Sequence, residues 1–321
     1  LKIQRSFKIA TGVGVSAQTL RLLGERAIPG ARLVEAPSAD VEVLWRRQDD
    51  RTRWFTAALA ACPGVRWAHT DTAGVDRLPL EELRRRGVKL SNARGVYTEP
   101  VSQWIIAAVL LAAKRLDETV RHGDRRLWQV VPGTIDLAGA TMLLIGFGAI
   151  GEAVGRIAGA LGMRVVGVVR RPRPRRDGES ADVIVAASDD WRVFLPETSF
   201  LVVTAPLTAE TAGMIGAAEW ARLRPGGWLI NAGRGGIVDE PALCDALDCG
   251  NLGGAALDVF ATEPLPPEDP LWGRSNVLIS PHVASRSPRT GQLALEHFGR
   301  EIERYRAGLP LASRVDPILG Y

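Results

Sequence analysis

The sequence predicts an α/β protein built on parallel sheets. Two observations carry this. Short apolar runs rich in Val, Ile and Leu alternate with helix-like stretches along nearly all of the 321 residues. Apolar strands flanked by helices imply a parallel sheet covered on both faces. A glycine-rich turn at 146–151 also stands between one such run and a helix. The composition, 46% hydrophobic and 24% charged, excludes disorder, collagen and a disulfide scaffold. This length corresponds to about two domains and buries about 75% of the extended surface without staples.

Taken in order, residues 7–11 read as the first strand and 17–26 as a helix capped by Ser16. Strands follow at 31–35, 41–45, 65–69 and 88–91, with helices at 50–60 and 80–86. Thr98-Glu99-Pro100 opens a long helix, with Thr98 as cap and Pro100 in the first turn, where no backbone N–H is lost. Residues 104–113 are apolar nearly all round, so this helix must be buried between domains or against a second chain. Further strands are expected at 141–145, 164–168, 183–186, 200–203, 228–231, 254–258 and 277–280, with helices between most of them. An amphipathic helix at 289–306 carries Leu293, Leu295, Phe298 and Ile302, and a tail returns the chain to the first domain.

The run at 101–113 is too short to span a bilayer, and residues 1–9 do not read as a signal peptide. Cys62, Cys244 and Cys249 offer neither metal spacing nor a disulfide framework. The expectation is a cytoplasmic protein without bound metal. A net charge of +4, from 40 basic and 36 acidic residues, is a weak case for nucleic acid. Its distribution says more: Arg164, Arg170, Arg171, Arg173, Arg175 and Arg176 crowd one short stretch.

The turn Gly146-Phe147-Gly148-Ala149-Ile150-Gly151 lies between strand and helix as a dinucleotide-binding fingerprint does. Gly146 permits the tight turn, Gly148 lets backbone approach a pyrophosphate, and Gly151 lets helix and strand pack closely. The helix N-terminus adds N–H donors and a positive dipole end. After the next strand an acidic residue would hold the ribose hydroxyls of NAD. The sequence there is Val169-Arg170-Arg171, with no Asp or Glu. Guanidinium suits a 2′-phosphate, so NADP(H) is the expected cofactor and NAD(H) the alternative. A solvated basic loop is the bland reading. No aromatic platform is interleaved to favour nucleic acid.

Several motifs then carry a resemblance: Asn231-Ala232-Gly233-Arg234-Gly235, Asp258-Val259-Phe260-Ala261-Thr262-Glu263-Pro264 and Ser280-Pro281-His282-Val283-Ala284-Ser285. Thr72 to Asp76, Asn92 to Val96 and Pro206 to Thr211 add to it. In this order and spacing the chain resembles the D-isomer-specific 2-hydroxyacid dehydrogenase family along almost its whole length. The resemblance implies Arg234, Glu263 and His282 as catalytic residues, and amides around Ala73, Gly74 and Val75 as the grip on a substrate carboxylate. It puts Asp258 near the nicotinamide carboxamide, and Pro206, Thr211, Ala232, Gly233, His282 and Ala284 beside the cofactor. It implies two Rossmann-like domains, the cofactor domain inserted into the substrate domain. These would be 97–283 for the dinucleotide and 1–96 with 284–321 for the substrate. Hinges would lie near 95–98 and 283–286. A homodimer through the long helix is implied as well.

The chemistry can be argued from the side chains alone. Reducing a 2-keto acid needs a carboxylate anchor, a hydride donor and a proton donor. Arg234 can pair with carboxylate in a planar fork and stabilise charge growing on the carbonyl oxygen. His282 has the right acid–base class, and Glu263 would orient its ring and favour its protonated form. Glu263 argues against formate-oxidising relatives, which resemble this chain but carry Gln beside the His. Val169-Arg170-Arg171 and the short tail argue against phosphoglycerate dehydrogenases. The best reading is an NADPH-dependent glyoxylate/hydroxypyruvate or broader 2-ketoacid reductase. The alternatives are an NAD-linked D-2-hydroxyacid dehydrogenase and a non-catalytic, dinucleotide-sensing scaffold of corepressor type. His69, Trp104, Trp128, Trp272 and Arg286 are weaker candidates for lining the pocket.

Overall fold

The computed structural model describes residues 7–11, 31–34, 37–47 and 52–321. The helix expected at 17–26, with its Ser16 cap, lies outside the described residues. The chain forms two compact units: one runs to Tyr97 and resumes at Ser287–Tyr321, and the other is Thr98–Arg286.

The first unit holds strands β1 (Phe7–Thr11), β2 (Ala31–Val34), β3 (Val41–Arg46), β4 (Trp67–Thr70), β5 (Lys89–Asn92) and a short β13 (Arg314–Val315). Their order is β13-β5-β4-β3-β1-β2. All neighbours are parallel except β13, which runs antiparallel to β5. The tail therefore rejoins this sheet. Alternate side chains feed two cores, as the period of two requires. Ala10, Leu44 and Ala68 meet Phe55, Ala58 and Leu59 of α1 (Thr52–Ala61) and Leu83 of α2 (Leu80–Arg85). Ile9, Val43, Trp45 and Trp67 meet Leu295, Phe298 and Ile302 of α8 (Thr290–Arg306). Phe298 stacks on Trp45 at 4.1 Å between ring centroids.

The second unit opens with α3 (Thr98–Ala113) and α4 (Leu116–Asp124). Thr98 is the first helical residue rather than a flanking cap, and Pro100 sits in the first turn. Then come β6 (Thr141–Ile145), α5 (Ala149–Ala160), β7 (Arg164–Val169), β8 (Val183–Ala186), β9 (Thr198–Val203), α6 (Ala217–Arg222), β10 (Gly227–Asn231), α7 (Glu240–Asp248), β11 (Leu252–Leu257) and β12 (Val277–Ile279). The sheet order is β12-β11-β10-β9-β6-β7-β8, parallel throughout. The connections reverse direction between β6 and β9. In open sheets of this kind ligands bind outside the carboxyl ends of the strands at such a point. β6, β9 and β10 are buried on both faces, which explains their unbroken apolar runs. α3 buries Val101, Ile105, Ala108, Val109 and Ala112 against this unit, but Gln103, Ala107 and Leu110 face outward. Most of its apolar surface is thus covered within the chain, with Ala107 and Leu110 left exposed.

Candidate active site

The site gathers at the carboxyl edge of the second sheet, where the loops after β6, β7, β9, β10, β11 and β12 emerge. After β6, Gly146 adopts φ +98°, and a Cβ there would lie 2.6 Å from Ala205 N, so only glycine fits. A Cβ on Gly151 would meet Gly146 O at 2.6 Å, which lets α5 press against the turn. Gly148 is different: a Cβ there would meet nothing within 4 Å. It caps α5 without any side-chain hydrogen bond, so the first amides of the helix are open to an anion. Exposed, open space beside Gly148 and open amides fit a dinucleotide pyrophosphate. Phe147 has another part. Its N–H donates to Val168 O at 2.9 Å, and its buried ring packs on Gly151, Gly155 and Gly167. It is a packing wedge under the turn, and neither its ring nor its N–H is available to a cofactor.

The basic run does not form one cluster. Arg164 begins β7 and Arg170 follows its end, about 20 Å apart at 3.3 Å per residue. Arg164 pairs with Glu197. Arg173 pairs with Glu179, and Arg175 donates to Ala181 O and Glu179 O. Arg170 forms a fork on Glu210, Nε to Oε2 at 2.9 Å and Nη2 to Oε1 at 2.8 Å. Arg171 is exposed and has no partner among the described residues. Three of the six arginines, Arg164, Arg170 and Arg173, are thus paired with carboxylates.

After β9, the Thr211 hydroxyl donates to Pro206 O at 2.7 Å and accepts the Thr208 N–H at 2.8 Å. It staples the 206–211 turn. After β10, buried Asn231 accepts the Gly233 N–H at 3.0 Å and donates to Arg234 O at 3.1 Å. The Arg234 guanidinium reaches back to Gly233 O at 2.8 Å and is half-buried. Ala232 is half-buried, and a Cβ on Gly233 would meet Ala205 O at 2.9 Å.

After β11 and β12 come the acid–base candidates. His282 Nδ1 lies 2.9 Å from Glu263 Oε2. Glu263 is in turn fixed by the Phe260 N–H on its Oε1 at 3.2 Å. The His282 side chain is 42% exposed, and its Nε2 has no partner among the described residues. With Nδ1–H donating to Glu263, Nε2 is the nitrogen left to exchange a proton outward. His282 has φ +54°, a conformation costing about 1–3 kcal/mol outside glycine and typical of functional positions. Asp258 supplies the restraint. Its buried carboxylate accepts from Ser280 Oγ at 2.6 Å, Val283 N at 2.8 Å and Ala284 N at 2.9 Å, while its carbonyl accepts His282 N at 2.9 Å. Both Asp258 oxygens and the Ala284 amide are therefore engaged in shaping the His282 loop. The family resemblance implies a cofactor contact for each.

In the first unit, Ala73, Gly74 and Val75 follow β4. Thr72 Oγ1 donates to Gly74 O at 2.8 Å and Asn92 Nδ2 to Ala73 O at 2.6 Å. These bonds fix the loop, and the amides of Ala73, Gly74 and Val75 donate to nothing among the described residues. Three open consecutive amides suit a carboxylate. His69 does not line a surface. It is fully buried, with Nδ1 on Ser91 Oγ at 2.7 Å and its ring 5.0 Å from that of Phe298. Trp128 and Trp272 are exposed, the latter donating to Pro266 O. No group of three or more His, Cys, Asp or Glu side chains able to hold a metal occurs among the described residues. No helix among them is long and apolar enough to cross a membrane.

A parallel sheet with a dinucleotide turn at its switch point, and a paired Glu–His and an Arg on the same edge, defines an NAD(P)-dependent oxidoreductase. Comparison with known proteins agrees. The family described as D-isomer specific 2-hydroxyacid dehydrogenase, NAD binding domain, matches residues 106–284. Glyoxylate reductase of Korarchaeum cryptofilum is 33% identical over 253 residues, 77% of this chain and 75% of that one. Glyoxylate/hydroxypyruvate reductase B of Pectobacterium atrosepticum is 36% identical over 237 residues, 72% of this chain and 73% of its own. Among solved structures, the NADPH-dependent glyoxylate/hydroxypyruvate reductase of Sinorhizobium meliloti, in complex with NADP and sulfate, superposes with a TM-score of 0.81. It is 27% identical, over 98% of this chain and 100% of that chain. The chain belongs to the D-isomer specific 2-hydroxyacid dehydrogenase family.

Proposed function

We propose that the protein reduces a small 2-keto acid, glyoxylate or hydroxypyruvate foremost, to the D-2-hydroxy acid with NADPH. The observation that carries this reading is the His282–Glu263 pair: Nδ1 is engaged at 2.9 Å and Nε2 is left facing outward beside the dinucleotide edge. The cofactor, when bound, supplies the hydride to the keto carbon. His282 gives a proton from Nε2 to the carbonyl oxygen and takes one up again from solvent. Glu263 holds the imidazole in the tautomer that leaves Nε2 outward. Arg234 pairs with the substrate carboxylate and draws charge off the reacting oxygen. The amides of Ala73, Gly74 and Val75 in the first unit, which donate to nothing among the described residues, are a separate candidate grip for a carboxylate.

Arg171 supports the 2′-phosphate, since it is exposed and has no partner among the described residues at the end of β7. The second reading is an NAD-linked dehydrogenase, and the Arg170–Glu210 fork favours it, because that guanidinium is already engaged. We also infer a homodimer through the outward face of α3 and the stretch after it. Leu110, Leu116, Val120, Leu127, Trp128 and Val130 are all exposed there, an apolar surface that a second copy would cover.

Steady-state rates with glyoxylate, hydroxypyruvate, pyruvate and phenylpyruvate, each with NADPH and NADH, test the assignment. H282A is the control. The expected result is glyoxylate or hydroxypyruvate fastest with NADPH, and an H282A kcat lower by about 10²–10⁴ with cofactor affinity intact. No turnover on any acid, or full turnover in H282A, would refute it. Light scattering tests the dimer, and a monomer at micromolar concentration would refute it.

A further inference from the structure

Glu240 opens α7, directly after its cap Asp239, whose carboxylate already accepts the Ala242 N–H at 3.1 Å. The helix needs no second acid there. Yet Glu240 is half-buried, and its Oε1 accepts the Ala261 N–H at 2.7 Å. Ala261 lies between two fixed points of the proton-transfer pair. The amide before it, Phe260 N–H, is held by Glu263, and Glu263 in turn meets His282. The same peptide is gripped from its other side. A Cβ on Gly235 would lie 1.9 Å from Phe260 C and 2.3 Å from Ala261 N, so the backbone after Arg234 is in direct contact with it. The stretch from Arg234 to Glu240 thus holds the 260–261 peptide twice, by contact at Gly235 and by hydrogen bond at Glu240.

The arrangement works against Glu240 itself. Burial pushes its carboxyl above the ordinary range against the pull of the Ala261 N–H, and the negative charges of Asp269 and Glu263 add to the rise. Asp269 caps the 270–273 turn through the Leu271 N–H. An acid kept among acids, in a place where capping does not call for it, points to work done on a neighbour.

We propose that Glu240 is a positioning residue for proton transfer: by holding the Ala261 amide it fixes the turn that aims Glu263 at His282. The inference rests on the reading of His282 and Glu263 as the acid–base pair.

The test compares E240A, E240Q and H282A by kcat, KM and NADPH affinity, using the fastest acid of the panel. E240A is expected to lose about tenfold or more in kcat through misplacement, with NADPH affinity unchanged. E240Q keeps an oxygen to accept the Ala261 N–H and recovers most of that kcat. Wild-type kcat in E240A, or an E240Q no faster than E240A, with H282A inactive, would overturn the inference. An active H282A would bring down the reading of the site, and this inference with it. Should E240A fail to fold, E240D, one methylene too short to reach the Ala261 N–H, takes its place, and a wild-type kcat there overturns it.

Discussion

Replacing Gly235 by Ala forces a methyl group to within 1.9 Å of Phe260 C and 2.4 Å of Phe260 Cα. Ordinary contact begins at 3.4 Å, so the 260–261 peptide must retreat by about 1.5 Å, with backbone rather than a flexible side-chain tip in the way. Overpacking of this kind costs about 1–3 kcal/mol, and each kcal/mol lowers the melting temperature of a unit this size by about 2–4 °C. The functional cost is larger. Arg234 adjoins the mutated residue and Glu263 lies just beyond the displaced peptide, and misplacing reacting groups by about 1 Å costs about 10²-fold. Thermal denaturation followed by circular dichroism, together with steady-state reduction, reads both effects. Gly148→Ala is the contrast, because its Cβ would enter open space. It should melt as the wild type does while losing about tenfold or more in dinucleotide affinity, or about 1.4 kcal/mol. Wild-type melting and kcat in Gly235→Ala would refute the close contact, and unchanged affinity in Gly148→Ala would refute the cradle.

Arg171→Ala should weaken NADPH binding more than NADH binding, and more than Arg170→Ala does, because Arg170 is shared with Glu210; fluorescence titration decides, and equal losses for both cofactors would refute the 2′-phosphate role. Burial holds both His69 and His297 below the ordinary histidine range, so the unfolded chain takes up protons first. The stability they contribute is present above about pH 6.5 and is lost as pH falls below it, with a slope approaching about 1.4 kcal/mol per pH unit for His69, which burial holds well below that range. Urea unfolding at pH 7.5, 6.5 and 5.5 measures that slope, which His69→Gln should reduce by one histidine's share; an unchanged slope would refute it. Phe298→Ala empties the stack on Trp45 and should cost about 3–5 kcal/mol, read by the same unfolding; a loss under about 1 kcal/mol would refute its place in the core.

Most strands could be read from sequence because their apolar runs are bounded by turns. The ends slipped by a residue or two, as at Trp67–Thr70 and Lys89–Asn92. Glycines told most where they mark a steric demand, as Gly146 and Gly151 do. What sequence could not give is which donor each side chain spends itself on. Asp258 reads as a cofactor contact, and nothing in the spacing shows that its oxygens also hold Ser280, Val283 and Ala284. Arg170 looks like a free cation until Glu210 arrives from a different loop. Phe147 sits within the fingerprint, but its ring points into the core. Glu240 left a fainter trace: an acid immediately after an Asp that already suffices as cap. In each case the partner lies far away along the chain, where spacing carries no signal.

The return of the tail to the first sheet imposes an order of assembly during synthesis. Trp45 and Trp67 are made early, but among the described residues the helix that covers them, α8, emerges only after the whole second unit has been translated. Chains grow at about 5–20 residues per second and fold unit by unit as they emerge. The inserted unit is continuous and can close while the first sheet still shows an aromatic face to solvent. That face is a point of exposure for the nascent chain, and a ribosome stalled before α8 would present it to chaperones.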